Sequence, residues 1–242
     1  MASTRRPERL KIRGEWPQPV TFSHGFARAV ARPWNEDLPA ASLRLERGGS
    51  RFLRECAEAL FGWVSEVRSP ATLPGGSAVW RHAGFTESGT LLLFEHPLTA
   101  LSPPQLDITE DREAPLQALN QIDREAFPPP WRLGPLGLAE SVTATSKATV
   151  HTCERDRAIL GFAVTGVSLG VAYLQRLAVT PAHQGEGIGR ALVRASLGWA
   201  RGRRVVTLLV NTQPDNEAAA SLYRSEGFRD VPAGLQLWTY RR

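Results

Sequence analysis

The chain has 242 residues, 42% of them hydrophobic and 22% charged, with a formal net charge of +5, a balance that belongs to a globular protein with an ordinary core. No apolar run approaches the roughly 18–20 residues of a bilayer span, and the basic opening MASTRRPERLKIRGEW lacks the apolar stretch of a secretory signal; the expected location is the cytoplasm, without a membrane partner. The basic residues are spread along the chain, with no dense block and no interleaved aromatics, so nucleic acid is not the expected partner.

Two cysteines, Cys56 and Cys153, are too few for a disulfide framework and read as free, partly buried thiols. His151 lies two residues from Cys153, but the other histidines (24, 82, 96 and 183) are scattered and no metal site is expected. Only Lys11 and Lys147 among the 29 basic residues are lysines, which points to a GC-rich genome.

Along the chain, Thr90–Phe94 is strand-like and is followed by PLTALSPPQLD (97–107), whose three prolines mark a linker. DREAPLQALNQIDREAF (111–127) then carries Leu116, Leu119, Ile122 and Phe127 on an approximate helical stripe, stopped by FPPPW. Thr149–Cys153 and Ala158–Val164 read as strands around a polar turn at ERDR, and Val171–Val179 as a third strand ended by Thr180-Pro181. HQGEGIGR (183–190) follows, with glycines at 185, 187 and 189. Beyond it Ile188, Ala191, Leu192, Ala195 and Trp199 share one helical face, with Arg190, Arg194 and Arg201 on another. Val205–Val210 is a continuous apolar run, expected to be a strand buried on both faces. Asn216–Glu226 reads as the last helix and Leu235–Tyr240 as the last strand.

Strand, glycine loop, helix, buried strand is a βαβ unit with a right-handed crossover, which places the loop where open α/β sheets bind ligands. Unpaired N–H groups and the helix dipole make that helix start an anion site. Glycines let a phosphate approach the backbone, and Arg190 adds a charge-assisted contact. One glycine would serve a tight turn without a ligand; three point to a ligand. The loop lacks the Gly-Lys-Ser/Thr of a mononucleotide P-loop, and its glycines at relative positions one, three and five miss the dinucleotide fingerprint.

The pattern Gln184-x-x-Gly187-x-Gly189, preceded by LAVTPAHQG and followed by GRALV, resembles the GNAT superfamily of acetyl-CoA-dependent N-acyltransferases. The resemblance runs from about Gln105 to Arg242 and implies an α/β (α+β) fold, with a mixed, splayed central sheet flanked by helices. It also implies acetyl-CoA as co-substrate, an amine as acceptor and no metal. The loop residues Gln184, Gly185, Gly187, Ile188, Gly189 and Arg190 would hold the pyrophosphate. The backbone of Leu177, Ala178 and Val179 would hold the pantetheine arm, with the Leu177 N–H at the thioester carbonyl. Tyr223, in NEAAASLYRSEGF, would be the general acid for the leaving thiolate, and Asn216 an amide contact to pantetheine or simply a helix cap.

Many family members carry a glutamate base on the fourth or fifth strand. Here Tyr173, Gln175 and Arg176 stand on one strand and Leu208 and Leu209 on the other, and Glu140 is the substitute candidate. Water then carries the proton, or the acceptor is a weaker base that arrives neutral. A non-catalytic acyl-CoA-binding sensor or scaffold satisfies the same loop and is the alternative. A homodimer stays open.

An internal echo divides the chain into 1–104 and 105–242. Val79-Trp80-Arg81-His82-Ala83-Gly84-Phe85 parallels Leu222-Tyr223-Arg224-Ser225-Glu226-Gly227-Phe228, and LRLERGGSRFLREC parallels LAVTPAHQGEGIGRALVRA. The first half reads as a reduced, degenerate copy of the same fold, without cofactor binding because Trp80 stands in the tyrosine's place and the glycine spacing is lost.

Overall fold

The computed structural model describes residues 10–111 and 113–242. The first nine residues of the basic opening segment, and Arg112 within the predicted helical stretch 111–127, lie outside them. The chain forms two compact units, Met1–Thr90 with Gly234–Arg242 and Leu91–Ala233.

The first unit contains β1 (Lys11–Arg13), β2 (Val20–His24), β3 (Ala27–Pro33), β4 (Ala40–Arg47), α1 (Ser50–Leu60), β5 (Glu66–Arg68) and the short α2 (Ala78–His82). It also holds the start of β6 (Thr86–His96), which passes into the second unit at Leu91. Strands β1 to β4 form an antiparallel meander, and β5 joins β4 in parallel after the α1 crossover. The alternating apolar positions of β2, β3 and β4 meet Phe52, Leu53, Cys56 and Leu60 of α1 in one core, as period-2 and period-3.6 stripes require.

The second unit contains β7 (Thr109–Glu110), α3 (Leu116–Ala126), α4 (Gly134–Thr143), β8 (Lys147–Arg155), β9 (Ala158–Ser168), β10 (Val171–Val179), α5 (Ile188–Arg201), β11 (Leu208–Thr212) and α6 (Glu217–Ser225). The closing strand β12 (Arg229–Arg241) passes into the first unit at Gly234. Strand order is β7-β8-β9-β10-β11-β6, mixed, with β10 and β11 the parallel pair. In β9, Phe162 and Val164 pack with Leu119, Ile122 and Leu138 of α3 and α4, whereas Ala163 packs with Leu192 of α5; the two-residue alternation thus feeds a helical layer on each face. Each unit repeats one path: β4–α1–β5–α2–β6 in the same order as β10–α5–β11–α6–β12, with β4/β5 and β10/β11 both parallel.

The ERDR turn folds as a hairpin with Asp156 and Arg157 both at positive φ, the geometry of a two-residue turn matched to strand twist. Three sequence expectations need correction. Leu116 is 42% exposed and Leu119 and Ile122 carry the buried stripe of α3, because the helix begins only at Leu116. Strand β11 starts three residues late, and Val206 is 77% exposed. Residues 205–206 belong to the approach, since the ladder with β10 begins at Ala172↔Leu208. Along β11 burial alternates, with Leu208, Val210 and Thr212 inside and Asn211 outside. Both cysteines are free and buried, Cys56 completely, and burial pushes the Cys56 thiol up to about 12, which leaves it unreactive at neutral pH. Among the described residues no group of three or more His, Cys, Asp and Glu side chains is placed to hold a metal, and no helix is long and apolar enough to cross a membrane.

His151 on β8 is buried, and its Nδ1 has no hydrogen-bond partner. Burial pushes its pKa down to about 4, with Glu110 opposing and Arg203 reinforcing the shift. The folded chain thus holds a neutral imidazole, whereas the unfolded chain takes up a proton below about 6.5. The contribution is complete above pH 6.5 and is lost as pH falls towards 4. Chemical denaturation should show wild type losing about 3 kcal/mol more than His151→Phe between pH 7 and pH 4. Equal losses in the two proteins would refute this assignment.

Candidate functional site

The site is organised by one irregularity in β10. Register with β9 shifts between Leu174 and Arg176, leaving Gln175 as a bulge, and the parallel register with β11 covers only Ala172–Leu174 against Leu208–Val210. A bulge bends and twists its strand and ends local pairing, so β10 parts from β11 beyond Leu174. It also resets the alternation of faces. Ala172 and Leu174 pack into the α5 core before the bulge, and Leu177 and Val179 pack there after it.

The hydrogen-bond phase of the surviving ladder fixes where the β10 backbone points. Thr180 donates its N–H to the Leu160 carbonyl at 2.9 Å, so Thr180 is a hydrogen-bonded pair and the pairs alternate back along the strand. Ala178 faces β9, and the N–H and C=O of Leu177 and Val179 point the other way. Val179 O accepts from the Gln184 side chain at 3.2 Å. Three surfaces then enclose a cleft of about 660 Å³: Leu177–Val179 with the loop 183–190, the start of α6 (Asn216, Ala219, Leu222), and Phe127 and Trp131 beyond α3.

Gly185 and Gly187 adopt φ of +84° and +85°, and an added Cβ at either would stand in open space. Gly187 is the N-cap of α5 in the left-handed region, where a side chain costs about 1–2 kcal/mol. Gly189 is an ordinary helical residue whose Cβ would rest 3.4 Å from Leu222. The turn therefore employs two of the three glycines for their backbone conformation. The open space beside those two, at the unpaired start of α5, is what a phosphate group needs.

The other predicted residues fall in different places. Arg190 lines the cleft but its guanidinium pairs with the buried Glu226 carboxylate, which also takes Arg194 at 2.7 Å. Arg190 and Arg194 thus share one carboxylate, and the cluster keeps a net positive charge at the start of α5. The exposed Glu186 is held by Arg155 and His183, each at 3.0 Å, and these hydrogen bonds, His183 first, hold its carboxyl below the usual range. Ile188 is buried, so only its backbone faces the loop. Asn216 caps α6, its Oδ1 accepting the Ala219 N–H at 3.2 Å, and also lines the cleft.

Tyr223 is 4% exposed and is not among the residues that line the cleft, although its neighbour Leu222 is. Its ring sits between Phe94 and Phe228, with centroids at 5.6 and 5.5 Å. Burial raises its pKa, and the Arg176 charge opposes the rise, so the phenol keeps its proton across the working range. Glu140 lies half-buried on α4, away from the cleft lining, whose one acidic member is Asp215 at the start of α6.

Sequence reading passed over the cluster beneath Leu177. Arg176 donates to the fully buried Asp123 carboxylate of α3 at 2.5 Å and to the Trp131 carbonyl at 2.9 Å, and its Cζ lies 3.5 Å from the Phe127 ring centroid. Asp123 also accepts the Leu133 N–H at 3.0 Å. A charged residue at an interior strand position demands a buried counter-charge. The arginine in LQRLAV was the available signal, and its partner, 53 residues away, was not.

The model of the Acetyltransferase (GNAT) family matches residues 116–228. The chain is 54% identical over 65 residues to N-alpha-acetyltransferase RimI of Mycobacterium tuberculosis, a match that spans 38% of that protein's length and 27% of this chain. It is 41% identical over 119 residues to the [ribosomal protein bS18]-alanine N-acetyltransferase of Escherichia coli, spanning 48% of this chain and 76% of that protein. Against the mycothiol acetyltransferase of Tsukamurella paurometabola it is 29% identical over 251 residues, 92% of this chain and 85% of the relative. Among solved structures, a tandem GNAT protein from the clavulanic acid biosynthesis pathway shares the fold, with a TM-score of 0.61 at 15% identity, over 92% of this chain and 82% of that one.

Proposed function

Because the chain belongs to the GNAT acetyltransferase family, and is an acetyl-transferring enzyme, we propose that it moves the acetyl group of acetyl-CoA onto an α-amine, the amino group beside a carbonyl. The single observation that carries this reading is the Gln175 bulge, which parts β10 from β11 beside the glycine loop and turns the Leu177 and Val179 backbone into the cleft. In this reading the start of α5, with Gly185, Gly187 and Gly189, takes the pyrophosphate. Gln184 and Ile188 shape the loop, and the Asn216 amide and the 177–179 backbone orient the pantetheine arm. Acetyl-CoA supplies an acyl thioester when bound. The Leu177 N–H then stabilises the carbonyl oxygen as the amine nitrogen attacks, a C–N bond replaces the C–S bond, the nitrogen passes its extra proton to water, and Tyr223 protonates the departing sulfur and regains a proton from solvent.

Two things support an α-amine as acceptor. No carboxylate stands on β10 or β11 beside the opening, where Gln175, Arg176, Leu208 and Leu209 lie instead. An α-amine, with pKa near 7.7–8.0, is about half to two-thirds neutral at pH 8, whereas a lysine amine at about 10.4 arrives charged and needs a base. Of the bacterial relatives, one is named for N-alpha-acetylation and one for alanine N-acetylation, names consistent with the same class. The repeated strand–helix path supports the reading of the first half, 1–104, as a reduced copy of the second, 105–242. At the start of its α1 only Gly48 of the pair Gly48-Gly49 has positive φ, a sparser loop than that of α5.

The test is mass spectrometry of a peptide with a free alanine N-terminus and an internal lysine, incubated with acetyl-CoA at pH 8. Acetyl should appear at the α-amine at least about tenfold faster than at the lysine. Acetyl-CoA binding without transfer to any amine would turn the reading to a sensor or scaffold, and transfer mainly to lysine would overturn the acceptor class.

A further inference from the structure

The acyl end of the cleft can be located from the backbone. In the reading above, which this inference rests on, the phosphates lie at the loop 184–190 and the arm runs back along β10 from Val179 to Leu177. Whatever touches the strand next, at Arg176, stands at the acyl end. Two aromatic residues do. Arg176 stacks on the Phe127 ring at 3.5 Å and donates to the Trp131 carbonyl at 2.9 Å, and both residues line the cleft.

These contacts are held with more than ordinary force. The guanidinium is nearly buried and its counter-ion Asp123 fully so. Asp123 fixes the far end of the same loop through the Leu133 N–H, and Arg132 Nε donates to the Phe127 carbonyl at 2.9 Å. A buried ion pair is seldom better for stability than an apolar pair of the same shape; what it contributes here is a single geometry for residues 127–133. A wall whose backbone is tied at both residues and whose Phe127 ring is stacked on a buried guanidinium sets an upper limit on what fits beside it.

We propose that Phe127 and Trp131, clamped to β10 by the Arg176–Asp123 pair, close the acyl end of the cleft and restrict the donor to a two- or three-carbon acyl group. Arg176 and Asp123 act through the aromatic residues, as positioning residues.

Calorimetric titration of the full chain with CoA, acetyl-CoA, butyryl-CoA and hexanoyl-CoA tests this. Wild type should bind hexanoyl-CoA at least about tenfold more weakly than acetyl-CoA, and Phe127→Ala or Trp131→Ala should cut that ratio to threefold or less while leaving affinity for CoA itself within about twofold. A merely structural role would weaken all four ligands together and leave the ratio standing. Two separate wall variants keep the test open if one fails to fold, and the wild-type ladder needs neither. If wild type binds CoA but accepts hexanoyl-CoA as well as acetyl-CoA, or both folded variants keep the wild-type ratio, the acyl wall falls and the functional reading survives. If wild type binds no CoA, both fall.

Discussion

Replacing Tyr223 with phenylalanine is expected to lower kcat by about 10²-fold, the ordinary scale of a lost general acid, while the KM for acetyl-CoA stays within about twofold. The substitution keeps the ring that packs against Phe94 and Phe228 and removes only the hydroxyl. The energetic logic lies in the protonation state. Burial raises the phenol's pKa, and the nearby Arg176 charge opposes it. The group stays a donor throughout the range in which an α-amine is neutral, so tyrosine ionisation should add no alkaline limb to the wild-type pH profile below pH 10. Steady-state kinetics and a melting curve on the same preparation separate the two roles. Unchanged kcat would make Tyr223 a packing residue, and a loss of kcat with an unaltered melting temperature would make it the acid.

The second large effect falls on stability. Asp123→Ala removes the counter-ion of Arg176, leaves a guanidinium buried without its charge partner and strips the Leu133 N–H of its acceptor. Breaking a buried pair from one side costs roughly 3–5 kcal/mol, which at about 2–4 °C per kcal/mol for a protein of this size lowers Tm by some 6–20 °C. The double variant Asp123→Leu with Arg176→Met should recover most of that loss, since apolar partners of similar volume often replace a buried pair without cost. It should nonetheless relax discrimination among acyl chains, because the loop 127–133 is no longer tied to β10. A loss below about 1 kcal/mol for Asp123→Ala would show that water or a local rearrangement satisfies Arg176.

The contrast between these residues explains how far the sequence could be read. The expectation for Tyr223 came from a local motif, seven residues from Asn216. The loop was legible for the same reason, as was the span of β10, Val171–Val179, ended by Thr180-Pro181. The cluster of Asp123, Arg176, Phe127 and Trp131 was not, and FPPPW registered only as a helix stop. Arg176 stood out only as a charge within an apolar strand, and its partners acquire a role only when α3 lies against β10.

The sequence by itself therefore determined the local features: the helix start with its glycines, the polar hairpin turn and the stripe of α5. These depend on residues within a turn or two of one another, through backbone conformation and periodicity. The tertiary structure alone decided which strands pair. Thr239–Arg241 join β5 in the first unit, and Leu92–His96 join β11 in the second. It also decided that Gln175 is extruded from the ladder. Pairing and bulging minimise unpaired backbone groups over the whole sheet, against partners tens or hundreds of residues away, and that balance has no signature in any single segment.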